Sequence, residues 1–398
     1  MMKNKILGSA LMIAGTTIGA GMLAMPISTA GMGFIATSLL LIGLWAVFAY
    51  SGLLFVEVYQ TAKQKDDGVA TLAEQYFGIF GRILSTGTLL ILLYGLSVAY
   101  MMGGGSLLSG ILPSFTESAD LNNKIAIVIF TFVLGAFVVI GTKSVDGITR
   151  LLFIGKLIAF AIVLLTMLPK SSLDNLMALP LDYALVLSAI PVFFTSFGFH
   201  VIMGSINGYL DGNVHHFRKA VIIGTAIPLA AYLLWQLATH GVLSQSEFMT
   251  IVQEDPTLNG LVNATRQITG SHLLGELIRI FSALALITSF LGVMLGVFEG
   301  LGDLFKRYHL PNNRWSISLV AFVPPLLLAL SENSFLTVLS YAGLMCAFYC
   351  LLLPVILAWR TRVTHPNLPY RVFGGNITLA LAFIIAIVSF IYYSFNIG

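Results

Sequence analysis

The stretch Gly15-Thr16-Thr17-Ile18-Gly19-Ala20-Gly21-Met22-Leu23-Ala24-Met25-Pro26 interrupts an apolar run that opens at Ile6. Three glycines and two threonines stand where a membrane helix favours leucine. Glycine weakens a helix by ~1 kcal/mol relative to alanine and admits backbone angles that unwind it. Two readings fit. Gly15 and Gly19 can be a small-residue pair for close helix packing, or the helix breaks here. A second stretch bears on the choice. After Pro191 the chain reads Phe193-Phe194-Thr195-Ser196-Phe197-Gly198-Phe199-His200-Val201-Ile202-Met203-Gly204, again with polar and glycine residues at the centre of an apolar span. Central breaks five spans apart fit two inverted five-helix repeats plus one extra helix. Transporters of that design hold substrate between two discontinuous helices at the bilayer midplane.

Composition agrees with a membrane fold. Of 398 residues, 58% are hydrophobic and 9% charged, against roughly 25% charged in a soluble domain. A hydrocarbon core about 30 Å thick takes ~20 apolar helical residues to cross. Isolated strands leave backbone groups unpaired in lipid, so every span should be helical. Eleven spans are read, at 6–25, 31–59, 82–112, 124–141, 148–168, 183–210, 217–241, 273–304, 315–330, 335–359 and 375–396. The fold class expected is all-α and polytopic, one transporter domain with repeats at 6–168 and 183–359 and an extra helix at 375–396. Met1-Met2-Lys3-Asn4-Lys5 and the run after it imitate a signal peptide, but the run continues past Gly21, which favours an uncleaved first helix.

Basic residues orient the chain by the positive-inside rule. With the N-terminus cytoplasmic, Lys3, Lys5, Lys63, Lys65, Arg82, Lys143, Arg150, Arg218, Lys219, Lys306, Arg307, Arg314, Arg360, Arg362 and Arg371 fall inside. Only Lys124, Lys170 and Arg266 fall outside, fifteen against three. An odd span count then puts the C-terminus outside. Residues 67–80 carry Val69, Leu72, Tyr76 and Phe80 at near-helical spacing, the mark of an amphipathic surface helix. The polar segment 244–271, with Asp255-Pro256, is long enough for a lid and equally compatible with a solvated loop. The two cysteines, Cys346 and Cys350, lack His or carboxylate company and read as packed free thiols rather than metal ligands. No basic, aromatic-interleaved nucleic-acid surface occurs. Neither HExxH, nor GxSxG, nor a cluster of intramembrane carboxylates is present, which argues against an enzyme.

The breaks have their own chemistry. Unwinding exposes N–H groups at one half-helix, which attract a carboxylate, and carbonyls at the other, which accept from an ammonium. A zwitterionic amino acid matches both. GTTIGAGMLAMP together with TSFGFH resembles the hydroxy and aromatic amino acid permeases, the bacterial tyrosine and tryptophan permeases, and most closely the tyrosine-specific members. The resemblance spans the chain. It implies the leucine-transporter fold, a bacterial cytoplasmic (inner) membrane with a periplasmic C-terminus, proton-coupled import and an aromatic substrate. Val201 departs from the pattern, since glycine follows Phe199-His200 in many relatives.

Lys156 lies about eight residues inside the fifth span, ~12 Å from its end. A lysine near the membrane centre costs roughly 2.5–3.5 kcal/mol on insertion scales, so it should face a polar cavity or titrate, unless it snorkels to the interface. Ala285-Leu286-Ile287-Thr288-Ser289 resembles the sodium-binding stretch of sodium-coupled relatives, and a fifth-helix lysine replaces that ion in some proton-coupled ones. The resemblance thus implies that Lys156 bridges the first and eighth spans through Thr288 and Ser289, which otherwise read as packing residues. His200 could relay protons, donate to substrate or be a structural histidine bonded to a carbonyl. Glu57, Glu299 and Asp303 read as interfacial, and Glu276 and Arg279 as a pair along one helix. Phe194, Phe197 and Phe199 border the second break as candidate walls of a side-chain pocket, and Tyr100 could offer its hydroxyl; for each, packing is the alternative.

The expected function is proton symport of an aromatic amino acid, most specifically tyrosine, by alternating access, with no cofactor or metal. Gly15, Thr16, Thr17, Gly19, Ala20, Gly21, Thr195, Ser196, Phe197, Gly198 and Phe199 would hold the amino-acid head. Alternatives are a sodium-coupled or broader-specificity transporter of the same fold and, more remotely, a channel or a membrane-embedded enzyme.

Overall fold

The structure is a computed structural model that describes residues 5–179, 183–255, 257–332 and 334–396. Among these residues the chain is helical, without a strand. Its first span is two helices, α1 (Lys5–Thr17) and α2 (Gly21–Ser28), bent by 51° at the break between them. Then follow α3 (Phe34–Tyr59), α4 (Val69–Ser109), α5 (Ala119–Ile140), α6 (Thr142–Met167) and the short α7 (Leu173–Met177). The sixth span is α8 (Tyr183–Thr195), a tight 3-10 turn over Phe199–Ile202 and α9 (Met203–Tyr209). The chain continues through α10 (Val214–Val242), α11 (Gln245–Glu254), α12 (Leu258–Thr269), α13 (His272–Arg307) and α14 (Arg314–Ser331). It ends with α15 (Phe335–Cys346), which runs through a π-helical turn (Ala347–Leu352) into α16 (Leu353–Thr364), and with α17 (Gly375–Asn396). Among the described residues ten helical spans are long and apolar enough to cross a bilayer, eleven when the bent first pair counts as one. The protein is a multi-pass membrane protein, as expected.

Packing sorts the helices by exposure. α1 lies along α10, α6 along α13, and α4 is wedged among α5, α13 and α15. Small residues set the close approaches. A Cβ at Gly343 in α15 would collide with the carbonyl of Pro191 in α8, and one at Gly104 in α4 with the ring of Phe130 in α5. α17 and α6 instead expose leucine and isoleucine outward, among them Ile377, Leu381, Leu151 and Leu165, the pattern of lipid-facing surface.

Three local readings change. The amphipathic helix at 67–80 is present but is fused to the third span in α4, with a hinge at Gly78 (φ 62°, ψ −156°) that glycine's freedom permits. The segment 244–271 is neither a bare loop nor unstructured: Thr257 caps α12 by accepting from the Gly260 N–H, and α12 buries Leu258, Leu261, Val262 and Ala264 against the bundle. Glu57 is not interfacial. It is fully buried at the end of α3 in a two-pronged pair with Arg362 of α16 (2.6 and 2.8 Å) and also accepts from the Val372 N–H. A helix end covered by another segment cannot be told from a wet one by sequence position alone. Glu276 and Arg279 do pair along α13 (3.5 Å). Lys3, the side chain of Lys143 and Pro256 lie outside the described residues.

Candidate functional site

The first break opens because α1 stops at Thr17 and α2 starts at Gly21 with a new direction. Between them the backbone groups find partners on other helices. Lys156 of α6 donates from Nζ to the Ile18 carbonyl (2.8 Å) and lies 3.4 Å from Thr288 Oγ1 of α13. The Ala20 N–H donates to Ser289 Oγ (3.0 Å), also on α13. Lys156 is buried, with 2% of its surface exposed. Its charge is therefore met by a carbonyl and a hydroxyl, not by an acid. Gly19 has no room for a side chain, since a Cβ there would lie 2.7 Å from Ser289 Oγ.

The second break faces the first. α8 ends at Thr195, residues 196–198 leave the helix, and α2 packs against α8. A Cβ at Gly21 would sit 2.5 Å from Ser196 Oγ and 3.3 Å from Ser196 Cα, so the breaks touch. Tyr232 of α10 ties them: its hydroxyl stands 2.6 Å from the Thr17 carbonyl and 2.7 Å from the Ser196 carbonyl. One phenolic proton serves one carbonyl at a time. Ser196 Oγ is buried without a partner among the described residues. The site thus holds two terminal helix carbonyls sharing one donor, the start of α2, whose Met22 and Leu23 N–H groups bond back to the Gly19 and Ala20 carbonyls, the unpartnered Ser196 hydroxyl, and a lysine ammonium. That inventory suits an ammonium and a carboxylate held side by side.

Residues 2–393 match the model of the tryptophan/tyrosine permease family. The chain belongs to this family. The permease is 71% identical to tyrosine-specific transport system 2 of Haemophilus influenzae over 98% of its own length and 96% of the relative's. It is 54% identical to that organism's tyrosine-specific transport system 1, covering 96% and 95%, and 35% identical to its tryptophan-specific transport protein, covering 97% and 94%. The resemblance carried by GTTIGAGMLAMP and TSFGFH is borne out.

Other expected site residues of the permease fall in different places. Gly15 is still helical and faces the Phe153 ring. Thr16 is exposed and its hydroxyl returns to the Met12 carbonyl (2.9 Å), away from the break; Thr17 and Thr195 likewise bond back to their own helices. Gly198 lies against Cys346, where a Cβ would be 3.6 Å from the sulfur. Of the phenylalanines, Phe194 and Phe197 share Phe48 (ring centres 5.6 and 5.8 Å), Phe194 also meeting Tyr393 and Phe197 also meeting Tyr232 (5.5 Å), while Phe199 is pressed onto Gly52. The 3-10 turn that contains Val201 swings His200 towards α3, where Phe48, Phe55 and Phe199 surround it. Neither ring nitrogen has a partner among the described residues, so no carbonyl bond forms.

Five contributors carry no functional mark in the sequence. Tyr232 is one. Trp235, one turn further along α10, donates from Nε1 to the Met22 carbonyl (3.1 Å). Its ring meets Phe281 (5.6 Å) and Phe160 (6.4 Å), which stack on each other at 5.1 Å. Cys346, read as mere packing, donates its thiol to the Phe194 carbonyl (3.2 Å).

Proposed function

We propose that this permease imports an aromatic amino acid, tyrosine by preference, across the bacterial cytoplasmic membrane by proton symport. The observation that carries this reading is the pair of facing breaks bridged by Tyr232. In this reading the substrate ammonium takes the carbonyl that Tyr232 leaves unserved, and the carboxylate takes the unpartnered Ser196 hydroxyl at the positive end of α2. The ring lies among Tyr100, Phe197 and the Trp235–Phe281–Phe160 group. Because Gly21 touches Ser196, substrate entry requires the two breaks to part, which is the motion alternating access needs. The inverted five-helix repeats at 6–168 and 183–359 place one break in each.

Lys156 carries the coupling proton. Charged, it holds Ile18 and Thr288 together; neutral, it has a weaker grip on the carbonyl, and the first span loosens from α13. The same ammonium occupies the oxygens that a sodium ion would need, which favours proton over sodium coupling. The N-terminus is cytoplasmic and the C-terminus periplasmic, by the distribution of basic residues. The specificity named for the two tyrosine-specific relatives supports tyrosine. The chemistry proposed is translocation, not catalysis.

Radiolabelled L-tyrosine uptake into proteoliposomes tests the proposal. Accumulation should follow an inwardly directed proton gradient in sodium-free buffer, collapse with a protonophore, and be competed better by tyrosine than by tryptophan. Accumulation that needs sodium, or none of tyrosine, would overturn it.

A further inference from the structure

α15 runs against the second break closely enough to touch both of its ends. Gly343 allows the approach, since a Cβ there would collide with the Pro191 carbonyl of α8. Three residues on, the Cys346 thiol donates to the Phe194 carbonyl (3.2 Å) in the last turn of α8. That oxygen also accepts from the Phe197 N–H (3.2 Å), beyond the end of the helix. On the far side of the break, a Cβ at Gly198 would lie 3.6 Å from the same sulfur.

Cys350 follows four residues later, on the same helix face, where the chain takes its π-helical turn over Ala347–Leu352. Ser51 of α3 donates its hydroxyl to the Cys350 carbonyl and pins the turn. Both thiols are free and buried, and Cys346 Sγ lies 3.5 Å from Cys350 Sγ. The chain has two cysteines in all, so this pair is its whole complement of thiols.

The separation has a chemical meaning. It is well beyond the ~2.05 Å of a disulfide bond. Two bonds of about 2.3 Å to one soft atom, the length of a metal–thiolate bond, leave about 3.5 Å between their sulfurs when they meet at roughly 100°. Among the described residues no group of three His, Cys, Asp or Glu side chains could hold a metal, so a tetrahedral ion would lack half its ligands here. A pyramidal trivalent arsenic that brings its own carbon substituent needs two sulfurs and nothing more. We propose that Cys346 and Cys350 are a chelating site for organic trivalent arsenicals, R–As=O, and that occupation arrests the permease. Two As–S bonds form, the As=O bond and both S–H bonds break, and the oxygen leaves as water with the two thiol protons. No atom changes oxidation state.

The product loses the Cys346–Phe194 hydrogen bond and carries its R group into the seam between α15 and the break. Buried thiols are ordinarily inert. These two lie against the segment that must move when the breaks part, so transport itself uncovers them. The chelate stands on the sulfur geometry; the arrest rests on the proposed motion of the second break.

Phenylarsine oxide, added to proteoliposomes during tyrosine counterflow, tests both parts. Intact-mass spectrometry of the recovered protein should show one phenylarsenic group per chain with two hydrogens lost. The group should survive a 2-mercaptoethanol wash and be removed by 2,3-dimercaptopropanol, the mark of a two-sulfur chelate. Tyrosine uptake should fall at least tenfold and return with the dithiol. Cys350→Ala, which keeps the Cys346–Phe194 bond, should hold no arsenic after the monothiol wash and should keep its own untreated rate. No arsenic on the parent protein, or equal retention by Cys350→Ala, would overturn the chelate. Arsenic retained by the parent at an undiminished rate would overturn the arrest. An untreated parent that takes up no tyrosine would fail the transport reading instead, with the mass measurement still deciding the chelate.

Discussion

The ammonium of Lys156 lies 2.8 Å from the carbonyl oxygen of Ile18, 138 residues away in sequence. This bond fastens the unwound segment of the first span to a helix from the other side of the site. Thr288 stands 3.4 Å from the same ammonium, and Ser289 receives the Ala20 N–H, so one short stretch of α13 holds both the lysine and the break. A buried lysine with only neutral partners gains less from its charge than one facing a carboxylate. Such a charge is well suited to being given up during a transport cycle.

Tyr232→Phe removes the hydroxyl shared by the Thr17 and Ser196 carbonyls without changing ring size. Leaving a buried acceptor unserved costs roughly 1–3 kcal/mol. The KM for tyrosine should rise by about tenfold, with the protein still present in the membrane at normal levels. An unaltered KM would show that the bridge has no part in the site.

Gly21→Ala forces a methyl group into Ser196, including its Cα at 3.3 Å, so a rotated hydroxyl alone cannot relieve the contact. Uptake should fall at least tenfold. Gly43→Ala in α3, where nothing lies within 4 Å of the added atom, is the matched control and should transport normally. Equal activity of the two variants would contradict close apposition of the breaks.

Glu57→Gln keeps the side-chain shape but leaves the Arg362 guanidinium buried without its counter-charge. Breaking a buried pair from one side typically costs about 3–5 kcal/mol. The melting temperature of the purified protein should drop clearly, and Glu57→Gln/Arg362→Met should recover part of the loss. A single variant as stable as the parent would mean the pair is solvated.

Asp211 answers a question about pH. Its carboxyl is held below the usual aspartate range by the hydrogen bond from Lys5 (2.5 Å) and then by the charge of that lysine. A depressed carboxylate pKa adds stability that is fully present above the unfolded value, about 3.9, and is lost as pH falls through the folded value. The contact is therefore constant over the physiological range. Asp211→Asn should leave the shape of the uptake profile between about pH 5.5 and 8 unchanged. A displaced profile would implicate this surface pair in coupling.

The sequence made the breaks legible because glycine and hydroxyl residues in mid-span have a local cost that shows without any partner. Lys156 was legible for the same reason, since one charge in an apolar run stands out. Tyr232 was not: a tyrosine in an apolar helix carries no local mark, and its contact with Thr17 is 215 residues distant. Glu57 was misread because its partner is 305 residues away. For the phenylalanines near the second break spacing leaves packing and pocket equally open, and the turn at 199–202 directs Phe199 and His200 towards α3. Direction around an unwound segment depends on tertiary contacts that residue spacing does not encode.

Lys156→Gln, assayed in proteoliposomes for both tyrosine counterflow and pH-driven accumulation, tests the account most directly. Glutamine can still reach the Ile18 carbonyl through an amide N–H but cannot exchange a proton. Counterflow should persist while accumulation against a gradient disappears. Accumulation equal to that of the parent protein would contradict the assignment of the coupling proton to Lys156.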